Sequence, residues 1–167
     1  MKNAPRSTVW IAILGVLAVV LYAVVAGVNI FVLNPLAAVP GSSLRQIYWE
    51  VEASQEGGRQ AFSGIVLAAG CVLALVVAAA VIRARLSPNG ALILMLTILA
   101  MGAPAYVIAS TPMRLSVAHA HYVNDAELTP WPLVLYGVSA LSGLAVVVLA
   151  VVRVVTDRAR PKQVTAQ

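Results

Sequence analysis

Hydrophobic residues fill this chain in four long blocks, about residues 10–32, 62–82, 91–109 and 132–152, and none of the four contains Asp, Glu, Lys, Arg or His. Each block is close to the ~20 residues that a helix needs to cross the ~30 Å hydrocarbon layer of a bilayer. The pattern predicts an all-α fold, a polytopic membrane protein built as a four-helix transmembrane bundle, with residues 1–167 forming one domain. Residues 33–61 and 110–131 become the long connections on one side, and 156–167 a polar tail.

Polar and turn-forming residues place the boundaries. Ser7 or Thr8 caps the first span, and Asn34-Pro35 ends it, because a residue before proline disfavours the α region. An irregular connector follows over 34–43. Ser43 with Gln46 three positions on is a capping-box pattern. Leu44, Ile47, Tyr48 and Val51 then recur at i, i+3, i+4, i+7 on one helical face, with Arg45, Gln46, Glu50 and Glu52 on the others. This is a short amphipathic helix for the outer membrane surface, stopped by Gly57-Gly58. Ser87-Pro88-Asn89-Gly90 is a turn signal between spans two and three. Pro104 is expected to kink the third span in its outer third. Thr111-Pro112 looks like the start of a second short surface helix reaching Tyr122.

Charge then orients the bundle. Lys2, Arg6, Arg83, Arg85, Arg153, Arg158, Arg160 and Lys162 fall on one side. The other holds Arg45, Arg59 and Arg114 beside Glu50, Glu52, Glu56, Asp125 and Glu127. The positive-inside rule puts both termini in the cytoplasm. The formal charge of +5 is thus sorted by membrane side, which argues for no nucleic acid as a partner. The apolar stretch after the basic N-terminus exceeds the ~7–15 residues of a signal h-region and is read as a retained helix. Abundant Ala and Val with Arg over Lys point to a GC-rich bacterial genome, hence a bacterial plasma membrane. Trp10 marks the inner interface; Tyr48, Trp49, Tyr106, Tyr122, Trp131 and Tyr136 crowd the outer one, as interfacial aromatics do.

Composition matches the architecture, at 61% hydrophobic and 10% charged, outside the range of soluble domains. Cys71 is the only cysteine, so no intramolecular disulfide or redox pair exists. No metalloprotease motif, phosphate loop or nucleophile elbow is present. The expectation is a protein that is not an enzyme and uses no cofactors.

Four features carry candidate chemistry. Gly70, Ala74 and Ala78 form a small-residue stripe on span two, used in membrane helices for packing within a bundle or for docking another subunit. Trp49 lies off the apolar stripe of its helix, as a headgroup anchor or as an interface hot spot. His119, His121 and Asp125 are the only arrangement that suggests a metal, although residues two apart on a helix point about 200° from each other. Either histidine paired with Asp125 or Glu127 would make a pH-sensitive contact. Tyr22, Asn29, Thr97 and Tyr106 are the polar groups that would line a path through the bilayer, and interhelical hydrogen bonding is their commoner use.

The expected function is a non-catalytic accessory or assembly subunit of a larger integral membrane complex. Its partners would be membrane lipids and other integral membrane subunits, or a second copy of itself. Docking would use the small-residue faces and Leu44, Ile47, Tyr48, Trp49 and Val51. The alternative is a small homo-oligomeric transporter, channel or lipid-binding membrane protein.

Overall fold

Apolar runs of this length fold as helices because a helix satisfies every interior backbone group within its own segment. The computed structural model describes residues 5–54, 59–123 and 128–159, and among these there is no strand. Helix α1 (Arg6–Val28) passes through one π turn (Asn29–Leu33) into α2 (Asn34–Ala38). Then come α3 (Leu44–Ala53), α4 (Arg59–Arg83), α5 (Pro88–Ala100), α6 (Gly102–His121) and α7 (Trp131–Ala159). Four stretches are long and apolar enough to cross a membrane: Arg6–Ala38, Gln60–Arg83, Pro88–His121 and Trp131–Thr156.

In this helical bundle α1 packs on α4 and α5, α4 on α6, and α5 on α7. One core cluster lies toward α3 and joins Ile47 and Val51 to Ala26, Ile30, Tyr106, Met113 and Leu135. A smaller one, Ala12, Ala78 and Met95, lies toward the α4–α5 turn. The outward faces are also apolar, with Leu17, Leu21, Leu141 and Leu144 exposed. A surface of that kind is compatible with a multi-pass membrane protein.

The predicted cap of α3 is present: the Ser43 hydroxyl accepts from the Gln46 N–H at 3.3 Å, a contact worth about 1 kcal/mol. Ile47 and Val51 are fully buried, as the stripe requires.

The prolines act differently from expectation. Pro35 does not end the first helix, which runs on to Ala38 by widening into the π turn. Pro112 does not start a new helix, since α6 continues through it to His121, so the third apolar rod extends well past residue 109. Its break lies at Met101, ahead of Pro104, whose ring would clash with the carbonyl four residues earlier, that of Ala100. Ser87-Pro88-Asn89-Gly90 is a helix start, with the Ser87 hydroxyl accepting from the Gly90 N–H at 3.3 Å. The turn itself is made by Arg85 at φ 51°, closed by Leu86 N–H donating to the Val81 carbonyl at 3.2 Å, a Schellman pattern. Thr8 ties α1 to this turn by donating to the Leu86 carbonyl at 3.1 Å.

Candidate functional site

The polar groups of the bundle gather around the π turn. Pro35 has no N–H for the Phe31 carbonyl four residues earlier, and the Tyr48 hydroxyl of α3 donates to that oxygen at 2.7 Å. Burial pushes the Tyr48 pKa up to about 12, because desolvation disfavours the phenolate. Asn29, fully buried, donates from Nδ2 to the Tyr106 hydroxyl at 2.7 Å and accepts from the Thr129 hydroxyl. Asn34 accepts from the Leu128 N–H at 3.0 Å. The widened turn thus holds both α6 and the segment leading into α7. The Tyr106 and Tyr136 rings meet edge to face, 5.7 Å apart at 77°, a favourable quadrupole geometry.

A second knot lies at the α5–α6 break. The Ser139 hydroxyl of α7 donates to the Leu99 carbonyl at 3.1 Å and lies 3.3 Å from the Tyr22 hydroxyl. Gly102 permits this approach: a Cβ there would stand 2.7 Å from the Tyr22 ring and 3.1 Å from the Ser139 hydroxyl.

Between α1, α4 and this break is a cavity of about 240 Å³, with Tyr22, Thr97 and Tyr106 in its wall beside Val66, Leu67 and Gly70. Three of the four residues expected to line a polar path therefore border one space, and Asn29 is bonded to the third of them. Their polar atoms face protein: Tyr106 meets Asn29, Tyr22 meets Ser139, and Thr97 donates to the Ile93 carbonyl of its own helix at 2.8 Å. What the cavity presents is aromatic ring and hydrocarbon.

The residues expected to bind a partner divide sharply. Ala74 and Ala78 are buried within the bundle, so this part of the stripe packs the chain against itself. Ile47 and Val51 are buried under α3. Leu44, Tyr48 and Gly70 are half-buried, whereas Trp49 is 68% exposed.

His119 and His121 both belong to α6, which points them to different sides: His119 is exposed and His121 turns inward. Nδ1 of His121 lies 3.1 Å from a carboxylate oxygen of Glu50, joining the end of α6 to α3. Asp125 and Glu127 lie outside the described residues, among which no group of three His, Cys, Asp or Glu side chains could hold a metal.

Residue order along the chain carried no sign of Thr129, Leu128, Gly102 or Glu50 as partners, because each contact joins separate helices or loops. No family model, curated protein or solved structure matches this chain.

Proposed function

We propose that this protein is a multi-pass component of a bacterial plasma membrane with both termini cytoplasmic, acting as a non-catalytic accessory or assembly subunit of a larger integral membrane complex. The four apolar rods and the one-sided distribution of Arg and Lys support that placement. The observation that carries the role is Trp49, a large aromatic held in the open on a rigid mount. Ser43 caps its helix, Tyr48 fastens it to Phe31, Glu50 meets His121, and Ile47 and Val51 anchor it in the core. A pre-ordered aromatic binds a partner without the entropy cost of ordering it on contact.

The test is isolation of the native protein in mild detergent with mass analysis of what accompanies it. Different integral membrane subunits should co-purify, and W49A should release them while the isolated chain keeps its thermal stability. Recovery of the chain alone or with copies of itself overturns the reading. The hydrocarbon wall of the 240 Å³ cavity favours one alternative, a lipid-binding membrane protein, over a transporter or channel.

A further inference from the structure

A second groove, of about 450 Å³, runs between the start of α5 and the last turns of α7, lined by Ser87, Asn89, Ile93, Leu149, Val152 and Arg153. Its two walls change character in the same direction. Along α7, Leu149 and Val152 give way to Arg153 and then Thr156; along α5, Ile93 gives way to Asn89 and Ser87. One end is hydrocarbon, and the other offers a guanidinium, an amide and a hydroxyl. Thr156 is occupied, donating to the Val152 carbonyl of its own helix at 2.8 Å. The Ser87 oxygen accepts a backbone bond, which leaves its proton to donate outward. Arg153 is exposed and has no ion-pair partner among the described residues. Arg83 ends α4 and Arg85 lies in the turn that follows it; the acids with described side chains, Glu50 and Glu52, both belong to α3, and Asp157 stands one turn past Arg153 on α7.

We propose that this groove binds an anionic phospholipid, its phosphate at Arg153, Ser87 and Asn89 and the start of one acyl chain along Ile93, Leu149 and Val152. An amphiphile matches a groove whose polarity is graded along its length. The cation selects for negative charge, as basic pockets between helices do at a cytoplasmic membrane face. The assignment rests on the reading that the α4–α5 end lies at that face; it does not depend on a protein partner.

The experiment is native mass spectrometry of the full chain in mild detergent, titrated with phosphatidylglycerol and phosphatidylcholine of matched acyl chains. The wild type should retain phosphatidylglycerol about fivefold better, the preference expected of one well-placed arginine. R153Q should abolish that preference, whereas R83Q, at the same end but outside the groove, should keep it. I93W, which fills the hydrocarbon end without touching a charge, should lower retention of phosphatidylglycerol. Excess inorganic phosphate should displace nothing. Equal retention of the two lipids, a preference that survives R153Q, equal loss in R83Q, or displacement by inorganic phosphate would each overturn the proposal. Because lipid retention in detergent needs neither the partner complex nor Trp49, a failure here leaves the subunit reading to be judged by its own co-purification result.

Discussion

The Tyr48 hydroxyl donates to the Phe31 carbonyl at 2.7 Å, and that oxygen is the one to which Pro35, lacking an N–H, offers nothing. A tyrosine on a short surface helix therefore completes the backbone of a long helix seventeen positions earlier. Y48F should destabilise the protein by about 1–2 kcal/mol, since a partly buried acceptor is left unpaired. P35A restores the missing donor, so Y48F should cost measurably less in that background. The check is a double-mutant cycle on thermal unfolding in detergent; strictly additive effects would mean that the two residues act separately.

The same hydroxyl gives a pH dependence with a definite sign. The pKa of Tyr48 is raised to about 12 by burial, above the ~10 of a free tyrosine. Its contribution to stability is therefore complete below pH ~10 and is lost as pH rises through ~12. Docking of α3 should weaken over that interval. The fluorescence of Trp49, the neighbouring residue, is the reporter, and Y48F should remove the transition there.

Asn29 offers a sharper test of the π turn. N29A deprives both Tyr106 and Thr129 of a partner, and at roughly 0.6–2 kcal/mol per interhelical bond the loss should approach 2–3 kcal/mol. Y106F breaks only one of those bonds and should cost about half as much. Melting temperatures in detergent measure both, and equal losses would show that Thr129 contributes nothing.

Glycine substitutions should separate close approach from open space. G102A drives a methyl group to 2.7 Å from the Tyr22 ring, and overpacking of that kind costs typically 1–3 kcal/mol. At Gly64 and Gly137 a Cβ meets nothing within 4 Å. G64A and G137A should be neutral or slightly stabilising, because alanine is the better helix former. Thermal unfolding of the three variants checks the contrast.

Much of the architecture is legible residue by residue. The uncharged blocks mark the four rods, and the Ser43–Gln46 spacing with its apolar stripe marks α3, because these signals are local and periodic. Pro35 misleads for a physical reason. Proline breaks a helix when its orphaned carbonyl has no other donor, and here Tyr48 supplies one at Phe31 from outside the segment. The small-residue stripe is visible in the sequence, but whether Ala74 and Ala78 face a neighbouring helix or open surroundings depends on how α4 is rotated. Asn29 is equally visible as a polar residue at depth, while its link to Thr129, one hundred positions away, is set by tertiary packing alone.

That long link bears on the order in which the molecule is completed. When synthesis has delivered only the first two rods, the widened turn at Asn29 holds a polar amide with neither Tyr106 nor Thr129 yet made, and Asn34 waits for the backbone of Leu128. Assembly of the first helix is thus finished by the last stretch of chain before the fourth, and a nascent chain stalled earlier presents an unsettled first helix to whatever quality control meets it.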